Sequence, residues 1–230
     1  MKTSLRASLY DYRGLRLSTL GTPRYRHVLL LLYWPVFGLL FGLLERGGIQ
    51  KSFFYVHCTL DDLIPFCEWF LIPYLFWFVY LAGMLVYEFF FDVPGFRRYM
   101  YFVILTYTFT AAVYLLWPTA QALRPSSFPR DNALTRLVIR FYGFDTNTNV
   151  CPSIHVLGSV AVSVAAWDSP RFKTPLMRAV FTFLTALISV STLFIKQHSV
   201  LDIVLALPVC AAALLVMKLA ENNRRSSHGT

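Results

Sequence analysis

Six apolar runs constrain this chain more than any other feature. They cover residues 28–44, 66–88, 99–117, 153–168, 176–195 and 200–219. A helix needs about 20 mostly apolar residues to cross the hydrocarbon core of a bilayer. The fold class this predicts is all-α: a polytopic membrane protein with six transmembrane helices in a bundle. Pro35, Pro73 and Pro208 fall inside runs, which lipid-embedded helices tolerate because neighbours satisfy the freed backbone groups. The first run follows a basic segment, as a secretory signal does. It lacks a small-residue cleavage site and continues into Glu45-Arg46-Gly47-Gly48, so it reads as a retained signal anchor. Composition agrees: 57% of the residues are apolar and 14% charged, where soluble domains carry about a quarter charged.

The net charge of +9 does not point to nucleic acid. The basic residues flank the apolar runs, where they set orientation and meet anionic headgroups. Lys2, Arg6, Arg13, Arg16, Arg24, Arg26, Arg97, Arg98, Arg171, Lys173, Arg178, Lys218, Arg224 and Arg225 fall on one side. Arg46, Lys51, Arg124, Arg130, Arg136, Arg140 and Lys196 fall on the other. This bias predicts both termini inside. The domain reading is a basic cytoplasmic segment at 1–27, a six-helix unit at 28–219 and a cytoplasmic tail at 220–230.

The longest connection is 118–152. Within it Leu134, Leu137, Val138 and Phe141 recur at helical spacing. This predicts a short amphipathic helix in the outer interface, with an ordinary packed connector as the alternative. His57, Asp61 and Asp62 read as a solvated loop and Glu68 as an interface position. The second run, rich in aromatics, reads as a lipid-facing and core helix with interfacial anchors. Cys58, Cys67, Cys151 and Cys210 show no paired or zinc-type spacing. A disulfide among the first three is left open.

Three chemically distinct stretches fall on the outer side by a count that ignores their chemistry. They are Arg124-Pro-Ser-Ser127, Cys151-Pro-Ser-Ile-His155 and Lys196-Gln-His-Ser-Val-Leu-Asp202. His198 and Asp202 stand at i and i+4, on one helix face. A carboxylate on one imidazole nitrogen leaves the other basic and aimed. Ser153 and His155 open a helix, whose N–H groups and dipole favour a phosphate. Arg124 can fork onto phosphate oxygens, and Lys196 adds charge. Two histidines, an aspartate and cationic donors at a membrane surface suggest phosphoryl chemistry. A zinc site built from His155, His198 and Asp202 is the competing reading of the same residues.

Between about residues 60 and 215 the chain resembles the type 2 phosphatidic acid phosphatase superfamily. Pro152-Ser-Ile-His155 is similar to that family's Pro-Ser-Gly-His, and Ser191, His198 and Asp202 are in register with its third motif. Arg124-Pro125 is in register with the end of the first. The resemblance implies that His198 is the nucleophile, Asp202 its orienting group and His155 the general acid. It implies that Arg124 and Ser153 hold the phosphate, that Ser191 bonds within the site, and that no metal or other cofactor is needed. Three positions depart from the pattern: Trp117 replaces Lys, Thr192 replaces Arg, and Ile154 replaces Gly. Lys196, with one of Arg130, Arg136 or Arg140, is the expected replacement for the missing cations. The activity implied is hydrolysis of a lipid phosphate at the extracytoplasmic face of a plasma membrane, with a bacterial one expected. The alternatives are head-group transfer, as in the related sphingomyelin and inositol-phosphorylceramide synthases, and a non-catalytic lipid-binding homologue.

Overall fold

A computed structural model describes residues 8–50 and 52–227. The orientation residues Lys2, Arg6 and Lys51 and the side chain of Arg224 lie outside the described residues. Eight α-helices appear among the described residues: α1 Tyr33–Arg46, α2 Thr59–Leu63, α3 Leu71–Phe91, α4 Val93–Leu116, α5 Ala133–Phe144, α6 Ile154–Asp168, α7 Pro175–Phe194 and α8 Val200–Ser227. Short 3-10 turns at Arg26–Leu32 and Glu68–Phe70 lead into α1 and α3. Two short strands, β1 Phe54–Tyr55 and β2 Thr119–Ala120, pair in parallel and tie the connection after α1 to the long one.

Five helical stretches are long and apolar enough to cross a membrane: Arg26–Arg46, Glu68–Phe91, Val93–Leu116, Pro175–Phe194 and Val200–Asn223. The remaining expected run, 153–168, is α6, which is shorter than these five. α6 has 15 residues and rises about 22 Å, short of a hydrocarbon core of about 30 Å. Pro152 precedes it and Ser169-Pro170 follows it, so both ends are fixed by residues that disfavour helix. α8 runs on to Ser227, because no glycine or proline interrupts it between Pro208 and Gly229.

Local chemistry sets the other boundaries. Asp92 caps α4 by accepting from the Gly95 N–H, with Pro94 in the first turn. Asn132 caps α5 from the Thr135 N–H, and Thr174 caps α7 from the Met177 N–H. The helix expected in the long connection is α5. Its Val138 is fully buried while Leu137 and Ile139 are exposed.

α6 is the axis of the bundle, packed against α3, α4, α7 and α8. Gly158 permits that closeness: a Cβ there would lie 2.5 Å from Tyr107 Oη and 3.1 Å from Trp77 Nε1. Tyr107 Oη donates to the Ile154 carbonyl at 3.4 Å and Tyr114 Oη to the Pro152 carbonyl at 2.6 Å. The start of α6 is thereby fixed against α4. At the other end of the bundle the amino-terminal segment lies on the α3–α4 turn. Tyr10 N–H donates to Phe90 O and Tyr12 Oη to Phe89 O, and Arg98 pairs with Asp168 at 3.6 Å.

Candidate functional site

The first turns of α6 and α8 meet at the end of the bundle opposite the amino-terminal segment. Ser153 N–H donates to the Asp202 carbonyl at 3.1 Å, locking the two helix starts together. Ser153 is the N-cap of α6, yet its hydroxyl makes no capping bond. It points instead to His198 Nε2, 3.3 Å away.

His198 Nδ1 donates to Asp202 Oδ2 at 3.0 Å. That bond fixes the tautomer and leaves a lone pair on Nε2. His155 Nδ1 lies 3.3 Å from that Nε2, and the two rings meet edge to face. Asp202 is held in turn by the Ser199 N–H at 2.9 Å. All four side chains are buried, with Asp202 and Ser153 completely so. His155 Nε2 and Asp202 Oδ1 find no hydrogen-bond partner among the described residues. Cys151 borders Asp202; burial and that carboxylate push its thiol up to about 12.

His155 is clasped by aromatic rings. Tyr74 and Trp77 of α3 both pack on it in tilted contacts, 4.5 Å between centroids. The aromatic second span therefore has a face aimed at the histidine, besides its lipid and core faces. Tyr74 Oη continues the network by donating to Asp145 Oδ2.

Of the seven predicted site residues, the structure brings together His198, His155, Asp202 and Ser153. Arg124 reaches them through an intermediary. Its Nε and Nη2 donate to Gln197 Oε1 at 3.0 and 2.6 Å, Nη1 to Tyr142 O, and Nη2 to Asp145 O. The guanidinium also stacks on Tyr142 at 4.2 Å. Burial lowers its pKa somewhat, and nearby Asp145 and Glu45 oppose that. Ser191 is fully buried, and its hydroxyl donates to Ile188 O inside α7. Lys196 Nζ donates to Asp61 O at 2.8 Å, and burial lowers its pKa against the pull of Asp61 and Asp62. Arg130 pairs with Glu68 and Arg136 with Asp131. None of the proposed replacement cations lines the cavity beside the histidines.

One loop reading is overturned. Asp61 is 2% exposed, not solvated. It accepts from Ser199 Oγ at 2.6 Å and Val200 N–H at 2.8 Å, and so anchors the start of α8. Burial opposes its ionisation, but these bonds and those from Cys58 hold the carboxyl below its usual range. Glu68 is also buried, 1% exposed, and bonded by Asn132 and Arg130. His57 and Asp62 do form an exposed pair, and all four cysteines are free.

Thr192 meets His198 through its backbone carbonyl, a contact that does not depend on which side chain stands there. Lys196 adopts a left-handed φ of 56° and turns the chain back at the end of α7. Gln197 N–H and His198 N–H then both donate to Thr192 O. The position supports His198 through its carbonyl. A small cavity of about 20 Å³ opens beside the pair, lined by Phe41, Asp145, Asn149, His155, Gln197 and His198 among others. It is larger than the ~10–15 Å³ that one water requires. Among the described residues, no group of three or more His, Cys, Asp or Glu is arranged to hold a metal ion.

No family model, curated protein or solved structure matches this chain.

Proposed function

We propose that this protein is a membrane lipid phosphatase that works through a phosphohistidine. The observation that carries the reading is the relay Asp202–His198–His155, with a free lone pair on His198 Nε2 beside a cavity. In the first step Nε2 attacks phosphorus and the P–O ester bond breaks. The leaving alkoxide takes a proton from His155. In the second, water attacks phosphorus and gives His155 its proton. The N–P bond breaks and its electron pair returns to Nε2. Ser153 Oγ–H is placed to donate to a phosphoryl oxygen. The substrate is a lipid phosphate, met at the extracytoplasmic face of a plasma membrane by a chain with both termini inside. The short α6 is taken as the sixth membrane helix.

A second reading has one observation in its favour. Arg124 and Lys196 are both committed away from the cavity, which suits a phosphodiester better than a more highly charged monoester. The same first step would then pass a head group to a lipid alcohol.

The test is product release by the purified chain in detergent, with chelator present, from lipid phosphates of several classes. His198→Ala should lower the rate by about 10³-fold or more. Vanadate, which can adopt the five-coordinate shape of the transition state, should inhibit. Undiminished release by His198→Ala would overturn the reading. Lipid-alcohol-dependent product without phosphate would select the transferase.

A further inference from the structure

The end of the bundle away from the histidines carries a second and larger cavity, of about 330 Å³. It lies between the first turns of α4, the last turns of α6 and the late turns of α8. Its size and its wall, apolar and aromatic with a few polar groups, are those of a small-ligand site. Phe102, Ala161 and Leu214 line it nearest the middle of the bundle. Outward from them each helix changes from apolar to charged: to Arg98 on α4, to Asp168 on α6, and to Lys218 and then Glu221 on α8.

These four charges hold no hydrogen bond to one another. Among the described residues, the side chains of Lys218 and Glu221 are in no hydrogen bond or ion pair. Arg98 approaches Asp168 to 3.6 Å, outside hydrogen-bond range. Two cations and two carboxylates therefore face one space. An anionic guest would be opposed by the carboxylates, and a cationic guest by Arg98 and Lys218. A guest that carries both signs pairs with all four.

The order along α8 says which way round that guest lies. Going outward, Lys218 comes first, and Glu221 follows on the neighbouring face about 4.5 Å farther along the axis. A guest with its apolar part inward meets a cation first and a carboxylate second. A phospholipid with an ammonium head group has this sequence: tails, then phosphate, then ammonium across a two-carbon bridge. The level also fits. Glu221 stands about 32 Å along α8 from Val200, close to the ~30 Å thickness of the hydrocarbon core.

We infer that this cavity is a site for the head group of a zwitterionic phospholipid, in the leaflet on the far side from the histidines. Arg98 and Lys218 take the phosphate, and Asp168 and Glu221 the ammonium. The lipid is a bound partner here and not a substrate, so the site does not depend on the proposed phosphoryl transfer.

The test is native mass spectrometry of the purified full chain in detergent. It is offered phosphatidylethanolamine, phosphatidylcholine or phosphatidylglycerol with identical acyl chains. At least one of the first two should be retained about tenfold more than the third, as expected for a hydrogen-bonded charge. Which of the two is favoured tells whether the ammonium is held by N–H donors or by its charge alone. Exchanging the two α8 residues, Lys218→Glu with Glu221→Lys, keeps the net charge and reverses the order. The ratio should then fall near one. If that chain does not fold, Asp168→Asn with Glu221→Gln keeps the shapes and should lower the ratio in the same way. His198→Ala, at the far end, should keep the wild-type ratio. Three results overturn the proposal: a wild type that does not favour either zwitterionic lipid, a ratio that survives these α8 and α6 substitutions, or a ratio lost in His198→Ala, since the lipid would then sit beside the histidines.

Discussion

At the residue scale the proposed chemistry turns on which nitrogen of His198 is left free. Asp202 holds Nδ1, so Nε2 faces Ser153 and His155 with its lone pair. Asp202→Asn keeps the shape and offers a donor where an acceptor is needed. The imidazole can then turn its proton to Nε2. Turnover should fall by on the order of 10²- to 10⁴-fold with little change in KM, as for other orienting carboxylates. A loss below tenfold would show that Asp202 does not set the tautomer. The histidines and the aspartate were legible in the sequence because their signals are local: four residues of helical spacing for one pair, a Pro-Ser start for the other. Tyr74, Trp77, Gln197 and Asp61 were not. Tyr74 and Trp77 come from α3 and Asp61 from α2, Gln197 adjoins His198 without a motif of its own, and an aromatic that packs on a histidine looks like one that faces lipid.

At the element scale, the start of α8 depends on a residue from far earlier in the chain. Asp61 accepts from Ser199 Oγ and the Val200 N–H, and so steadies the turn that carries His198. Its carboxyl is held below its ordinary value of 3.8. A depressed carboxyl stabilises the fold above that value, and the contribution is lost as pH falls through the lower folded value. Asp61→Asn should therefore cost about 1–3 kcal/mol at pH 7 in detergent unfolding. The gap between variant and wild type should close below pH 3.8, and a gap that persists there would assign the bonds no ionic part. Gly158 plays the matching role for α6. Gly158→Ala would press on Tyr107 and Trp77, at a cost of about 1–3 kcal/mol for overpacking. Because Trp77 packs on His155, activity should fall further than stability alone requires; unchanged activity would mean that the ring clasp does not position His155. Helix positions were readable from hydrophobic runs, whose signal is summed over many residues. The length of α6 was readable as well: the run 153–168 matches Ile154–Asp168, bounded by Pro152 and Pro170.

At the scale of the whole molecule, the described residues divide into two ends. Arg97, Arg98, Arg171 and the segment from residue 8 gather at one, and the candidate site lies at the other. If the site faces outward, a cysteine-free chain carrying Ser127→Cys should react with an impermeant maleimide in intact cells. The same chain with Arg171→Cys should react only after lysis. The reverse pattern would put the site inside. Charge bias alone was a weak guide to this, because several arginines do structural work in the long connection: Arg124 ties it to Gln197, and Arg130 answers the buried Glu68.

The short α6 has a consequence for supply. Its first residue is held opposite Tyr107, and Pro152 before it opposite Tyr114, both short of the end of α4 at Leu116. In a bilayer such a start lies below the level where its longer neighbours emerge. Water would enter a recess of about 20 Å³ almost singly, while an alcohol carried on a lipid arrives by lateral diffusion at the high density of the membrane itself. Which nucleophile completes the second step would then be settled by traffic to the recess, with identical chemistry at phosphorus. A residue that widened or narrowed that entrance could turn a hydrolase into a transferase without touching a histidine.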